Sequence, residues 1–294
     1  MRKVICSIVC ALLLVSCGEY NKILKSTDYE LKYDYAKKAF ERKKYMQAAT
    51  LLEELVAIFK GTDRAEESLY LLARSYYLNK DYITSGEYFQ AYYKNYPKGE
   101  YTELARFYCG YGYYLDSPEA KLDQTGTYRA IDEMQRFLDY FPNSERAKQA
   151  QDIIFELQDK LVYKELLNAQ LYYNLGNYMG NNYQSAIITA QNALKEYPYT
   201  RYKETLSMLI LKSKYQEAVQ SIEEKKPERF RDVIDEYYSF INDYPSGEYS
   251  KEKSVSGYFA AYSFNSCAPS VAILMISGFS LRNTCSLCAR DVEL

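Results

Sequence analysis

Residues 96–101 read Tyr-Pro-Lys-Gly-Glu-Tyr and residues 244–249 read Tyr-Pro-Ser-Gly-Glu-Tyr, so nearly the same hexapeptide occurs twice in the chain. Shorter versions, an aromatic residue followed by proline, stand at 141–142 and 197–198. Proline cannot continue a helix, because it lacks the N–H and its ring clashes with the preceding turn. Glycine or serine then supplies the turn or the cap. Each copy therefore predicts the end of one helix and the start of the next.

An apolar template precedes each of these prolines. Apolar or small residues lie 12, 8 and 5 positions before the proline, and such spacings place all three on one face of a helix. The first copy has the same template, although Lys60 replaces the proline. The template residues are Ala48, Leu52 and Leu55, then Ser85, Phe89 and Tyr92, then Ala130, Met134 and Phe137, then Ala186, Ala190 and Ala193, and finally Val233, Tyr237 and Phe240.

A second amphipathic run precedes each template helix, as in the stripe Leu69, Leu72, Ala73 and Tyr76. This pairing resembles the tetratricopeptide repeat. We therefore predict an all-α fold, a right-handed solenoid of about five tetratricopeptide-type helical hairpins over residues 30–253. An irregular helical bundle is the alternative, but it gives no reason for five copies in register.

The prolines are 45, 56 and 47 residues apart, which exceeds the ideal repeat of about 34. Longer helices or insertions are therefore expected. We predict an inserted loop between Asp116 and Thr127 and a long helical stretch at about 146–179. Pro227 is expected in the first turn of the last hairpin's second helix, where its missing N–H costs nothing.

The composition argues against several classes of function. The sequence has no histidine, so it offers no Ser-His-Asp triad, Cys-His dyad or histidine-zinc site. A net charge of −2 gives no polybasic character for nucleic acid. Among the seven cysteines, Cys109 follows the helical pattern and is expected in the core. We predict no enzymatic activity, no cofactor and no metal.

The N-terminus has the form of a targeting segment. Arg2 and Lys3 precede an apolar run over residues 4–15, which is too short to span a membrane. The run ends in Leu-Val-Ser-Cys at residues 14–17, which resembles the lipobox of bacterial lipoproteins. An ordinary signal peptide is the alternative, and it leaves the cysteine unexplained. We predict a lipoprotein signal peptide over 1–16, lipidation at Cys17 and a lipid-anchored linker over 17–29.

The chain is rich in tyrosine, with 35 residues. Most lie at positions expected to fill the seams between hairpins, with the hydroxyl turned to water. A subset on the first helices of hairpins is expected to line a groove, where Tyr and Arg suit peptide docking. The candidate groove residues are Tyr33, Lys37, Phe40, Tyr70, Arg74 and Tyr77.

One central stretch has a more specific resemblance. Residues 117–118 (Ser-Pro), 123–125 (Asp-Gln-Thr) and 141–145 (Phe-Pro-Asn-Ser-Glu) are similar to the BamD family of outer-membrane β-barrel assembly lipoproteins. Asp123 or Thr125 would also serve simply as a helix cap. The resemblance implies a lipid-anchored protein on the periplasmic side of the outer membrane. Its implied partners are a BamA-like β-barrel assembly protein and unfolded outer-membrane protein substrates, and it implies no catalytic residue.

The resemblance leads us to expect a scaffold subunit of the outer-membrane protein assembly complex, which promotes the folding and insertion of β-barrel proteins. Alternatives are a glycan-binding lipoprotein partnered with a transporter, or a peptidoglycan-linked tetratricopeptide lipoprotein. Sugar platforms favour tryptophan, and the sequence has none.

Residues 254–294 do not continue the charged, amphipathic pattern of the body. Serine, cysteine and apolar residues dominate there, and Cys285 and Cys288 form a C-x-x-C pair. Cys267 alone is nearby, so the four ligands of a zinc site are lacking. We interpret this atypical tail as the product of a frameshift or of a sequencing error.

Overall fold

The computed structural model describes residues 19–249. These residues contain ten helices of thirteen residues or more and no strand, which confirms the all-α prediction. A short helical segment at 19–24 precedes them. The helices are α1 (Tyr29–Glu41), α2 (Tyr45–Ile58), α3 (Ala65–Leu78), α4 (Tyr82–Asn95), α5 (Thr102–Asp116), α6 (Thr125–Tyr140), α7 (Ala147–Leu175), α8 (Asn182–Glu196), α9 (Lys203–Val219) and α10 (Lys226–Asp243).

The helices pair in chain order into five hairpins, α1–α2, α3–α4, α5–α6, α7–α8 and α9–α10, as the repeat predicts. From α1 to α6 each helix packs on the next, and so do α8, α9 and α10. The chain divides into two compact units, which meet in sequence after Gln158. Helix α7 contributes Leu157 to a core of the first unit and Val162 and Ala169 to a core of the second.

The apolar template forms the core. Fourteen of its fifteen residues are buried, and Tyr237 is half-buried. Phe89, Leu52 and Phe137 are fully excluded from solvent. Burying a side chain of this size stabilises the fold by roughly 1.5–3 kcal/mol, so each hairpin is held mainly by the face that the periodicity identified. Cys109 is also fully buried, as predicted.

The aromatic-proline pairs adopt one turn at all four positions. Tyr96, Phe141, Tyr197 and Tyr244 have φ between −132° and −125° and ψ between 59° and 71°. Proline disfavours the helical conformation in the residue before it, so the helix ends there. The N–H three residues later then donates to the aromatic residue's carbonyl, at 3.0–3.2 Å. The first hairpin makes the same bond from Thr62 to Phe59 without a proline, at 2.9 Å.

A carboxylate from the first helix of each hairpin holds the turn that follows its second helix. We call this contact the clasp. Its five pairs are Glu30 with the Arg64 guanidinium, Glu66 with the Glu100 N–H (2.8 Å), Glu103 with the Ser144 hydroxyl (2.6 Å), Asp159 with the Thr200 hydroxyl (2.6 Å) and Glu204 with the Tyr249 N–H (3.0 Å).

The clasp explains the residue that stands three places after each aromatic residue. At Gly99 and Gly247 an added Cβ would collide with the carboxylate of Glu66 or Glu204, so only glycine lets that carboxylate reach the backbone. Where serine or threonine stands at this place in the third and fourth hairpins, its hydroxyl donates to the carboxylate instead. The repeated motif therefore encodes a hydrogen-bond geometry as well as a helix end.

The predicted insertion is present as an ordered loop at 117–124 between α5 and α6. Gln124 is buried, and its amide donates to the carbonyls of Glu119 (2.8 Å) and Leu122 (3.1 Å). Its side-chain oxygen accepts from the Thr127 hydroxyl at 2.7 Å. Asp123 accepts from the Thr125 N–H at 3.0 Å, where α6 begins. The Asp-Gln-Thr sequence thus closes the loop and starts the helix.

One boundary differs from prediction in detail. The long helix α7 ends at Leu175 rather than near 179, because residues 176–181 form a turn in which Gly176, Met179 and Gly180 have positive φ. Pro227 lies in the first turn of α10, as predicted. Cys17, the signal segment 1–16 and the atypical tail 254–294 lie outside the described residues.

Candidate peptide-binding surface

The candidate groove residues lie on the first helices of the first two hairpins, α1 and α3, both in the first unit. On α1, Tyr33 is only 2% exposed, and its hydroxyl donates to Glu67 at 2.5 Å. The Lys37 ammonium lies 4.5 Å from the Tyr33 ring centroid. Phe40 is half-buried and meets Tyr45 edge-on at 5.6 Å. The structure therefore joins Tyr33 to Lys37 and places Phe40 in a separate contact.

On α3 the three candidates converge with residues of the third hairpin. Tyr70 is 9% exposed and stacks on Tyr101, with centroids 4.3 Å apart and planes 9° apart. Arg74 lies over the Tyr108 ring at 4.3 Å, and Tyr77 is 5.0 Å from the same ring. Arg74, Tyr77 and Tyr108 are half-exposed. Tyr70 thus supports this cluster from beneath, while Arg74 and Tyr77 face outward.

Two further half-exposed tyrosines of α5 belong to this cluster. Tyr111 stacks on the buried Phe107 at 5.6 Å, and Tyr114 stacks on Tyr111 at 5.6 Å. These α5 residues repeat the α3 candidates at a constant offset of 37 positions. Phe107 corresponds to Tyr70, Tyr111 to Arg74, and Tyr114 to Tyr77. Extending the same offset by one hairpin would have found them from sequence. We call Arg74, Tyr77, Tyr108, Tyr111 and Tyr114 together the tyrosine surface.

Burial raises the pKa of two tyrosines of this surface, Tyr77 and Tyr114, and of Tyr70 beneath it. Burial raises the pKa of Tyr70 to about 12, against the opposing effect of Arg74. Burial, and then the hydrogen bond to Glu156, raise the pKa of Tyr114 to about 12. Its hydroxyl donates to that carboxylate at 2.9 Å. Burial and the neighbouring Tyr111 also raise the pKa of Tyr77. The surface therefore combines aromatic rings and their hydroxyls with a single guanidinium.

This arrangement suits binding to a polypeptide. Tyrosine rings give a large contact area at low entropy cost, and the guanidinium of Arg74 can pair with a carboxylate or a backbone carbonyl. The residues of the tyrosine surface come from two neighbouring helices, α3 and α5. An extended segment that lies across both helices would therefore contact several rings at once. Whether the six predicted groove residues bind such a segment stays a prediction.

A largely buried polar cluster lies between α4, α5 and α6. Glu133 is 5% exposed and accepts from the Tyr93 hydroxyl at 3.0 Å and from the Gln90 amide at 3.1 Å. Cys109 lies beside it, and burial followed by the charge of Glu133 raises the thiol pKa well above its ordinary value. The thiol is thus held protonated in the core, away from any substrate.

The described part of the chain contains neither a metal-binding cluster nor a membrane-spanning helix. Across residues 19–249, no group of three or more His, Cys, Asp or Glu residues is arranged to hold a metal ion. None of the helices in the same range combines the length and the apolar character needed to cross a bilayer.

The model of one protein family, YfiO, described as an outer membrane lipoprotein, matches residues 26–212. The comparison with curated proteins gives no significant match. Among solved structures the chain is similar to a Podospora anserina protein described as a kinesin light chain with nearly identical TPR-like repeats. The identity is 13%, the coverage is 74% of this chain and 96% of that chain, and the TM-score is 0.31. A TM-score this low carries no argument, so the fold assignment rests on the hairpins described above.

Proposed function

Because this chain belongs to the YfiO family of outer membrane lipoproteins, we propose that it is a scaffold subunit of the outer-membrane protein assembly complex. In this role it promotes the folding and insertion of β-barrel proteins through protein–protein contacts and performs no chemistry itself. The observation that carries the proposal is the half-exposed tyrosine surface on a family member built of helical hairpins.

The proposal assigns the chain two kinds of protein partner. One is a BamA-like β-barrel assembly protein, and the other is the unfolded outer-membrane proteins that the complex inserts. An unfolded barrel strand is extended and alternates apolar with polar residues. Its apolar side chains would lie on the rings of Tyr77, Tyr108 and Tyr111, while tyrosine hydroxyls and Arg74 would hydrogen-bond its backbone.

The proposal also assigns the membrane attachment. We place the protein on the periplasmic side of the outer membrane, anchored by acyl chains on Cys17. Each buried CH₂ of an acyl chain contributes roughly 0.8 kcal/mol, so two or three chains bind a bilayer stably and one alone does so marginally. A Cys17→Ser variant is therefore expected to leave the membrane fraction and to remain folded.

Affinity capture of the lipidated protein from mild-detergent membranes tests the proposal. Recovery of a large barrel protein with repeated periplasmic domains, in near-equal amount, supports the assembly role. Recovery of a plugged transporter barrel instead supports the glycan-binding alternative, and recovery of wall-remodelling enzymes supports the peptidoglycan-linked alternative. Either of these two results would replace our proposal.

Site-specific photo-crosslinking separates substrate binding from complex membership. A photoreactive phenylalanine analogue at Tyr111 is expected to crosslink to newly exported barrel proteins. The matched control is the same analogue at Tyr199, which is 89% exposed and lies in the second unit. Equal crosslinking at both positions would show that the tyrosine surface has no special part in substrate binding.

A further inference from the structure

A polar cleft of about 310 Å³ lies in the second unit. Two turns form it, the turn that joins α7 to α8 and the turn that joins α9 to α10. Its principal lining side chains are Asn177, Asn181, Glu217, Gln220, Lys225 and Arg229. The volume is at the lower end of the range for ligand pockets, roughly 300–1,000 Å³, which suits a ligand of one or two sugar rings.

Hydrogen bonds hold one wall of the cleft in place. Glu217 accepts from the Asn181 amide at 2.7 Å and lies 3.3 Å from the Arg229 guanidinium. The same guanidinium donates to the Ser221 hydroxyl at 2.5 Å. These side chains come from α9, from α10 and from both turns. They are therefore ordered before any ligand arrives, which lowers the entropy cost of binding.

The opposite wall is ordered in the same way. The Asn177 amide donates to the Gln220 side-chain oxygen at 2.6 Å, and the Gln220 amide donates to the Tyr183 hydroxyl at 2.9 Å. Tyr183 is itself buried in the second unit. Carboxamide groups of both turns are thus fixed relative to each other and to the core beneath them.

The cleft leaves both hydrogen-bond donors and hydrogen-bond acceptors free to contact a ligand. Within residues 19–249 the Lys225 ammonium has no side-chain partner, and one carboxylate oxygen of Glu217 and the Asn177 side-chain oxygen accept no hydrogen bond from the protein. Ile222 alone gives the lining an apolar side chain. Two cations face one carboxylate, so the cleft carries a net positive charge.

We propose that this cleft binds an acidic saccharide, a sugar that carries a carboxylate. Sugar hydroxyls both donate and accept, so they match the mixture of amide, carboxylate and ammonium groups. The sugar's carboxylate pairs with Lys225, and its C–H face lies on Ile222. A bare phosphate has no C–H face to lie on Ile222 and offers few donors to the free oxygens of Glu217 and Asn177. A peptide anchor needs an apolar pocket, which this cleft lacks.

This inference goes beyond the scaffold role and does not depend on it, because the tyrosine surface belongs to the first unit and the cleft to the second. An acidic saccharide reaches an envelope protein from two sources. Wall glycan whose stem peptides have been removed carries a free lactyl carboxylate on its muramic acid, whereas surface polysaccharides carry uronic acids. The two share the chemistry that the cleft recognises.

Saturation-transfer difference NMR with the full-length protein in detergent tests the inference. The probes are N-acetylmuramic acid, sodium glucuronate, neutral methyl glucoside and sodium acetate. We expect transfer to one or both acidic sugars, and the stronger of the two identifies the source. Lys225→Met is expected to weaken that binding about tenfold or more, the effect of losing a charge-assisted hydrogen bond. Lys195→Met, which changes an exposed lysine of α8, is the matched control and is expected to have no effect.

A second variant keeps the inference testable if Lys225→Met fails to fold. Asn177→Ala removes an exposed amide of the turn. It is expected to weaken the binding of both acidic and neutral sugars. The inference is overturned if neither acidic sugar binds, if acetate competes as well as the sugars do, or if both variants bind as tightly as the unaltered protein. Binding of methyl glucoside as tight as that of glucuronate would also overturn the assignment of an acidic ligand.

Discussion

The guanidinium carbon of Arg74 lies 4.3 Å from the centroid of the Tyr108 ring. Arg74 belongs to the second hairpin and Tyr108 to the third, so this contact joins the two helices that carry the tyrosine surface. A ring face attracts a cation through its quadrupole, and the contribution is about 0.5–2 kcal/mol depending on exposure. The contact fixes the only cation of the tyrosine surface in one position.

Replacing Arg74 by alanine is expected to weaken binding of a barrel-derived C-terminal strand peptide by about five- to tenfold, since an anchoring arginine typically contributes more than 1 kcal/mol. Fluorescence anisotropy with a labelled peptide measures the affinity. Arg136→Ala is the matched control, because Arg136 is an exposed arginine of α6 outside the tyrosine surface. An unchanged affinity for Arg74→Ala would remove this residue from the binding surface.

Replacing Glu66 by alanine is expected to destabilise the protein by about 1–3 kcal/mol. Glu66 accepts from the Tyr92 hydroxyl at 2.5 Å and from the Glu100 N–H at 2.8 Å, and both donors lose their partner. Urea unfolding measures the change. Glu87→Ala, at an exposed position of α4, should have little effect. If Glu66→Ala and Glu87→Ala lower the free energy of unfolding by the same amount, the clasp contributes nothing to stability.

Replacing Gly86 by alanine is expected to destabilise the protein by about 1–3 kcal/mol through overpacking. A Cβ at this position would lie 2.5 Å from the ring carbon Cζ of Tyr113, which is itself only 5% exposed. Gly112→Ala is a matched control in a neighbouring helix, because its Cβ would meet Tyr82 at an ordinary 3.7 Å. That variant is expected to be neutral, or more stable by up to about 1 kcal/mol from helix propensity. Thermal unfolding that ranks the two variants in the opposite order would contradict the packing described for Gly86.

Stability is expected to fall in alkali. Burial raises the pKa of Tyr70 and of Tyr113 to about 12, from an ordinary value of 10.0. Between these values the folded chain binds more protons than the unfolded chain, so the free energy of unfolding decreases as pH rises. The contribution is complete below pH 10 and is lost as pH rises through about 12.

Two measurements check this pH dependence. Absorbance near the tyrosinate band should show late-titrating hydroxyls in the folded protein that titrate near 10 in urea. Urea midpoints at several pH values should decline above pH 10, and Tyr70→Phe should decline less steeply. A midpoint that stays constant up to pH 12 would contradict the prediction.

Sequence periodicity predicted the core because burial of a helix face leaves a local signal at spacings of 3 and 4. Ala48, Phe89 and Phe137 are identified in this way and are fully buried. The groove was harder to predict. Periodicity shows that Tyr70 lies on a face of α3, but only the structure shows that Tyr101 covers it.

Contacts between distant residues gave no such local signal. The sequence suggested that seam tyrosines turn their hydroxyls to water, whereas Tyr92 and Tyr114 each donate to a glutamate of another helix. The partner of a hydroxyl depends on how two helices meet, and no spacing within one helix encodes it. For the same reason the sequence did not predict the clasp, although Gly99 and Gly247 are part of the repeated hexapeptide.

The clasp is closed within each hairpin, because the carboxylate and the turn that it holds come from the same repeat. A tandem duplication of one repeat would therefore copy the helices together with the junction that positions the next pair. Such a copy supplies the turn that begins the following hairpin, while the packing of one hairpin on the next still depends on their facing side chains. The family could thus gain or lose whole repeats, and lengthen individual helices, without redesigning the joints between them.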